Sequence, residues 1–524
     1  MPGIQSSTNE SDYVIVGGGT AGCVVASRLA ERGCSVTLLE AGGSYSRLLD
    51  IPLVGLWAWL RRPERYCWNH QTVPQPNLGG RLVWYPAGRI VGGSSAINAM
   101  IYCRGHRSSY DRWSVAGWSY VDLLPYFRRA EDHENGASEY HGAGGPVGVA
   151  PGRFRHPLGR AFLEGCSSLG IPPNQDFSGE SGEGAGFYHL TQRHGRRSST
   201  ANSYMTATRS GLRLVIGAHV ARILVERRRA VGVEYLERGC SSTALAAREV
   251  ILCAGTAKSP QILQLSGIGP ADSLRRLEIP VLVDSPGVGA NLQDHVRVPI
   301  VFRVARRRYS SSVALASAIA EYVLRRRGLL ASNVADVAAI VRTEPSAEVP
   351  DIRVVFLWRA MPEQPDTLVA FETGLMDPRS RGHVRLASTD PLQPPLIDPN
   401  YLTDPRDWRR MEIGIGLARR IAQTAPCREA GITEEHLPGT RALAEHIREN
   451  AASSFHSVGT CRMGADETAV VDPELRVRGV DGLRVVDASI MPTAVSGNSQ
   501  AAVLAIAERA ADLLLSPVDD RISP

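Results

Sequence analysis

His456 stands in the segment SSFHSVGTCRMG, residues 453–464, with no second histidine beside it and Cys461 as its only nearby soft ligand. A neutral imidazole, with an ordinary pKa of about 6.5, accepts a proton near neutral pH and serves as a general base. The same ring in a glycine-containing loop is also a common structural hydrogen-bonding group, and the local residues alone leave both roles open. The remaining histidines offer no metal-ligand spacing: His189 and His194 are five residues apart and His133 and His141 eight, which places neither pair on a shared helical face. With no GxSxG turn for a nucleophile, neither a metal centre nor acyl-enzyme chemistry is expected.

A second group of residues points to a cofactor. Gly17, Gly19 and Gly22 form GxGxxG within DYVIVGGGTAGCVVASRLAERGCSVTLLEAG. The flanking pattern predicts an apolar strand, a glycine turn, an amphipathic helix and a second apolar strand. In such a βαβ unit the first glycine permits the tight turn, the second lets a pyrophosphate approach the backbone, and the third allows close helix packing. Glu40 closes the second strand, where a carboxylate accepts hydrogen bonds from the hydroxyls of an adenosine ribose. FAD and NAD both satisfy this pattern; the charge of Glu40 disfavours the 2′-phosphate of NADP.

Composition bounds the rest. A chain of 524 residues, 43% hydrophobic, implies two to four domains or two intertwined ones. The basic runs Arg227–Arg229, Arg306–Arg308 and Arg325–Arg327 are short and scattered within a net charge of +5, so no nucleic-acid footprint is expected. Lys258 is the only lysine, a bias that fits a GC-rich bacterial genome. The nine cysteines never form CxxC, which predicts reduced thiols and a cytoplasmic location. The N-terminal arm lacks an apolar signal region and LVGLWAWL from Leu53 is too short for a membrane span.

Five motifs, in order, carry a family resemblance: VIVGGGTAGCVVASRL, GRIVGGSSAINAMIYCRG at 88–105, GTAKSPQILQLSGIGP at 255–270, RGHVRLASTDPLQPPLIDPNYLTDPRDW at 381–408, and FHSVGTCRMG. From about Asp12 to Leu514 the chain resembles the glucose–methanol–choline (GMC) family of FAD-dependent oxidoreductases, and within it the bacterial alcohol oxidases and dehydrogenases. The resemblance implies an α/β fold: a discontinuous Rossmann-like FAD-binding domain and an α+β substrate-binding domain containing an antiparallel sheet. The expected division assigns residues 1–155, 200–295 and 450–524 to the FAD-binding domain and 156–199 and 296–449 to the substrate domain.

The resemblance also assigns roles. Gly17, Gly19, Thr20, Ala21 and Gly22 would lie along the pyrophosphate, with Glu40 and Ala41 at the adenosine ribose and Val220 at the adenine. Gly93, Ser94, Asn98, Ala99 and Met100 would pass the ribityl chain and flavin ring, and Asp487 and Ala488 return to the cofactor. His456 matches the family's catalytic histidine and Asn498 its partner, although an Asn before a helix is also a common cap. Ile97 replaces the histidine through which some relatives attach their flavin, so noncovalent FAD is expected. The implied reaction is oxidation of a primary alcohol to an aldehyde, by proton abstraction at His456 and hydride transfer to flavin, with oxygen or another acceptor taking the electrons. A hydroxynitrile-lyase activity on the same fold and a non-catalytic flavin-binding protein are the alternatives. Asp336 is either a substrate-facing acid or an ordinary solvated residue, and Phe356 and Trp358, sharing one face of the segment 351–361, would line the pocket or fill the core.

Overall fold

The computed structural model describes residues 10–206, 210–305, 312–358 and 367–516. The basic run Arg306–Arg308 and positions 359–361 lie outside the described residues. The expected βαβ unit is present as strand Glu10–Val16, helix Thr20–Glu31 and the fully buried strand Val36–Glu40. The two strands run parallel, Tyr13 opposite Val36 and Val16 opposite Leu39. Leu212–Ile216 extends the sheet beyond Val36–Glu40, also parallel. On the other side Glu10–Val16 pairs in parallel with Cys240–Leu252, which continues as an antiparallel meander through Arg229–Glu237 to Ala218–Glu226. The short strand Leu483–Val485 joins in parallel against Val250–Leu252.

This topology has one functional consequence. The parallel strands end on a common edge, at Val16, Glu40, Ile216, Leu252 and Val485. In open α/β sheets the crevice outside the carboxyl ends of the strands is where ligands bind. Helix Ser499–Leu515 packs beside Thr20–Glu31; its buried Ala501, Ala502, Ala505 and Ala507 occupy little volume. The pairing is fixed by Glu508, fully buried, which accepts from Arg28, Arg129 and the Tyr204 hydroxyl. Arg28 and Arg129 are partly exposed, so the member that depends on the cluster is the buried Glu508 carboxylate, which loses compensation if either arginine is removed.

A second, antiparallel sheet has the strand order Ile432–Leu437, Val296–Val304, Leu368–Leu375, Ile352–Leu357, Val337–Val341, Gly184–Phe187, and Ala452–Ser453 pairs with the start of Val296–Val304. Period-two alternation gives it two distinct faces. One carries Val296, Val298, Ile300, Ile352, Val354 and Phe356 into a core shared with helices Pro157–Ser168 and Pro405–Ala422. Phe356 and Trp358 belong to this core, so they fill it. Val355, on the opposite face, packs with Met100, Cys103 and Tyr188, and thus looks toward the segment 93–103. No helix among the described residues is long and apolar enough to cross a membrane, and LVGLWAWL lies in the ten-residue helix Pro52–Arg61.

Candidate active site

The glycine turn is built by close approach. Gly17 has φ +101°, and a Cβ there would stand 2.5 Å from the Cys253 carbonyl oxygen; one on Gly22 would stand 1.9 Å from the Gly17 oxygen. Gly19 is different. Its φ of −79° suits any residue, and a Cβ would meet nothing nearer than the Gly93 Cα at 4.0 Å. What glycine provides at position 19 is empty space in front of a helix N-terminus. That helix has no side-chain cap and no acidic residue in its first turn, so the N–H groups around Thr20 and Ala21 and the favourable end of the dipole are available to an anion. The Gly92–Gly93 turn is pinned against it, Gly92 N–H donating to the Gly18 carbonyl at 2.7 Å.

An open cavity of ≈ 520 Å³ lies at the strand ends, lined by Gly17, Glu40, Ala41, Val220, Trp68 and Lys258 among others. The Glu40 carboxylate accepts from Gly18 N–H at 2.8 Å and Gly42 N–H at 2.7 Å, and burial raises its pKa above the ordinary value. Lys258 and Trp68 were not singled out from the sequence. The Lys258 Nζ sits 4.4 Å from the Trp68 ring centroid, and burial beside Arg89 brings its pKa down to about 8. The signal for Lys258 was present: it is the chain's one lysine.

The segment Gly93–Met100 lies beyond the glycine turn. Gly93 and Ser94 open a 3₁₀ turn, with Ser94 Oγ accepting from Gly88 N–H. Asn98 Oδ1 accepts from Met100 N–H at 3.0 Å and Arg197 Nη1 at 2.8 Å, and its Nδ2 donates to Gln500 Oε1. Asn333 Nδ2 donates to the Ala99 carbonyl at 2.9 Å, and Gln192 Nε2 lies 3.9 Å from the Met100 sulfur. Each of these partners keeps another buried polar atom with no hydrogen bond: Arg197 Nη2, Gln500 Nε2, Asn333 Oδ1 and Gln192 Oε1. Buried polar groups are rarely left so. Four of them around one segment fit a flat, polar ring system such as a flavin. Asp487, by contrast, is spent within the protein. It accepts from Gly255 N–H, Ser259 Oγ and Ser489 N–H, and the Ala488 carbonyl accepts from Gly459 N–H, which ties the histidine loop to the strand edge.

His456 Nε2 and Asn498 Nδ2 are 3.0 Å apart. Asn498 precedes helix Ser499–Leu515, yet its side chain makes no capping hydrogen bond, so the amide serves the imidazole. Its backbone N–H donates to the Cys103 carbonyl, while Asn98 bonds Gln500 two residues further on; the pair therefore sits against the Asn98–Met100 segment. Asn498 Oδ1 is buried and unpartnered. On its other side His456 Nδ1 is 3.0 Å from Nδ1 of His295, a residue the sequence reading missed. The backbone N–H of His456 donates to Asp294, whose carboxylate also accepts from Tyr401 and Ser453 hydroxyls. Burial raises the Asp294 pKa to about 6.

With an amide N–H donating to Nε2, neutral His456 carries its proton on Nδ1 and offers it to His295. Burial, with Arg353, His295 and Arg297 nearby, holds the His456 pKa well below its ordinary value, and burial beside Arg353 holds that of His295 at about 3. Both rings are therefore neutral at pH 7, and the Nε2 lone pair of His456 faces the Asn498 amide, which donates to it. Asp336 is turned elsewhere: its carboxylate accepts from His156 N–H, and burial raises its pKa to about 7.

Folding also assembles a cluster that spacing did not predict. Glu131, His133 and His141 bring ligand-type atoms within 4.8 Å of one another. Their bonds are those of an ion network. His141 lies between Glu131 at 2.9 Å and Asp176 at 2.7 Å, which raises its pKa to about 9 despite burial, and Glu131 also pairs with the buried Arg104 at 2.7 Å. A cation there would compete with the protons and the guanidinium already compensating these carboxylates.

The parallel sheet and the glycine turn at its strand ends define a dinucleotide-binding fold. Two models described as GMC oxidoreductase match residues 11–297 and 378–507. Human mitochondrial choline dehydrogenase is 40% identical over 537 residues, covering 97% of this chain and 90% of the relative. An alcohol dehydrogenase [acceptor] of Pseudomonas putida is 38% identical over 534 residues, covering 97% of this chain and 96% of the relative. Among solved structures, pyridoxine 4-oxidase from Mesorbium loti superposes with a TM-score of 0.86 at 33% identity, over 96% of this chain and 98% of the other. The chain belongs to the GMC oxidoreductase family, whose members act on CH–OH donors.

Proposed function

We propose that this protein binds FAD noncovalently and oxidises a primary alcohol to an aldehyde, with His456 as the base and Asn498 as the group that holds the alcohol oxygen. The observation that carries the assignment is the 3.0 Å contact between His456 Nε2 and Asn498 Nδ2 in a setting that keeps the imidazole neutral. An alcohol O–H entering between the two side chains would replace the Asn498 amide as the donor to Nε2; His456 then takes the hydroxyl proton at that nitrogen, while its Nδ1–H remains bonded to the neutral His295. Asn498 orients the oxygen without placing another charge beside the base. FAD, when bound, supplies the acceptor for the hydride leaving the carbinol carbon.

The cofactor would be held along Gly17, Gly19, Thr20, Ala21 and Gly22, with Glu40, Ala41 and Val220 at its adenosine end. Gly93, Ser94, Asn98, Ala99 and Met100 would lie along the flavin, with the backbone of Asp487 and Ala488 closing the site. Ile97 is a buried aliphatic side chain without a nucleophile, which supports noncovalent attachment. The division into FAD-binding segments 1–155, 200–295 and 450–524 and substrate segments 156–199 and 296–449 is supported by the strand composition of the two sheets. Two strands cross it: Ala452–Ser453 pairs with the substrate-side sheet, and His189–Leu190 pairs with Ile101–Tyr102 and Val147–Pro151. The nine cysteines carry no disulfide and eight are buried, which supports a reducing, cytoplasmic setting.

The test is anaerobic mixing of the yellow holoenzyme with a panel of primary alcohols. Bleaching of the flavin with stoichiometric aldehyde is expected, and admission of oxygen then separates an oxidase, which forms peroxide, from an enzyme needing another acceptor. Cleavage of a cyanohydrin without bleaching would instead mean a lyase. A protein that takes up no FAD would end the proposal.

A further inference from the structure

Arg353 is 95% buried, being 5% exposed, yet among the described residues it has no carboxylate partner, and its Nε and Nη1 make no hydrogen bond. It projects from strand Ile352–Leu357 on the face opposite the Phe356 core, opposite Gly374 in the next strand. A Cβ on Gly374 would stand 2.9 Å from Arg353 Nε, so the side chain runs across the gap that this glycine leaves. Beyond Gly374 in the same row lies Arg297, at the start of the strand that follows His295. The guanidinium thus extends toward the catalytic histidines, and its charge is felt at His456, His295, Cys103 and Tyr188. The Tyr188 hydroxyl is likewise buried without a partner.

The charges on this face do not cancel. Glu372 is committed to Arg297, which also donates to the Ser453 carbonyl at 2.8 Å. Asp294 is spent on Tyr401, Ser453 and the backbone of His456. Among the described residues the buried Arg353 guanidinium is left without a carboxylate on the side of the two neutral imidazoles, and a buried charge without a counter-ion is costly unless a ligand supplies one.

Resting on the alcohol-oxidising reading above, we propose that Arg353 is a substrate-binding residue and that the preferred alcohols carry a carboxylate remote from the reacting hydroxyl. A guanidinium fork matches a carboxylate in two parallel hydrogen bonds, and the Tyr188 hydroxyl stands beside it to donate a third. The same charge disfavours a quaternary ammonium alcohol, so choline should be a poor substrate despite the 40% identity to choline dehydrogenase.

The experiment compares 4-(hydroxymethyl)benzoate and 6-hydroxyhexanoate with their methyl esters and with choline, on wild-type holoenzyme and on Arg353→Gln and Arg353→Lys. The expected wild-type result is kcat/KM at least tenfold higher for an acid than for its ester, with choline lowest. In Arg353→Gln the acid-to-ester ratio should fall at least tenfold, and Arg353→Lys should recover part of it. Calorimetric titration of the oxidised holoenzyme with benzoate and benzamide gives a readout independent of turnover: benzoate should bind more tightly, and the preference should vanish in Arg353→Gln. Equal rates on acid and ester, a ratio unchanged by Arg353→Gln, or no preference for benzoate would overturn the proposal. If no alcohol bleaches the flavin but benzoate still binds through Arg353, the failure lies in the proposed reaction and not in the anion site.

Discussion

His295 Nδ1 lies 3.0 Å from His456 Nδ1, with the two rings nearly perpendicular at 87°. The contact gives the candidate base a neutral acceptor on the side away from Asn498. Once His456 takes a proton at Nε2, its Nδ1–H bond to His295 becomes charge-assisted, which is worth about 1.5–3 kcal/mol. His295 has no proton to add at Nδ1, because burial and Arg353 hold its pKa at about 3.

Replacing His295 by Ala should therefore lower kcat about 10–100-fold, the rate equivalent of one charge-assisted hydrogen bond. His295→Asn, whose amide oxygen can accept from Nδ1–H, should recover part of the loss. Stopped-flow flavin reduction across pH measures both, and an alanine variant with wild-type rates and an unmoved pH limb would leave His295 a packing residue only.

His456→Ala should reduce turnover by about two to four orders of magnitude with FAD still bound, the usual range for a positioned base. The visible spectrum reports the flavin and single-turnover reduction reports the chemistry. Asn498→Ala should be milder in rate and nearly silent in stability, since the amide caps no helix; a large drop in melting temperature would contradict this.

The acid limb of kcat/KM should lie far below pH 6.5. A base acts in its neutral form, and burial, Arg353, His295 and Arg297 depress the pKa of His456, the proposed base. Lowering the pH through 6.5 should therefore leave the rate level, with loss only below the depressed value. A pH–rate profile with a limb at about 6.5, the ordinary imidazole value, would show that the base is solvated in the working enzyme.

Gly19 and Gly22 should fail differently. Gly22→Ala drives a Cβ to 1.9 Å from a backbone oxygen and should destabilise the protein with or without cofactor. Gly19→Ala meets only the Gly93 Cα at 4.0 Å. The cofactor-free protein should melt at the wild-type temperature, while FAD affinity, measured by fluorescence on reconstitution, drops at least tenfold as the methyl group fills the pyrophosphate approach. Equal affinities would argue that the space serves nothing.

The sequence by itself determined the glycine turn, the two strands and helix around it and the terminal Glu40, because these depend on neighbours a few residues apart and on hydrophobic periods of 2 and 3.6. It also placed Asn498 at a helix start, though not the choice between capping and contacting His456. Only the tertiary structure decided relations across long separations: His295 and His456 are 161 residues apart in the chain, and Glu131, His133 and His141 meet through loop closure instead of helical spacing. The face to which Phe356 and Trp358 turn was settled by which helices cover the second sheet. Arg353 is the extreme case, since its character rests on having no carboxylate partner among the described residues, and an absence of partners has no local pattern to read.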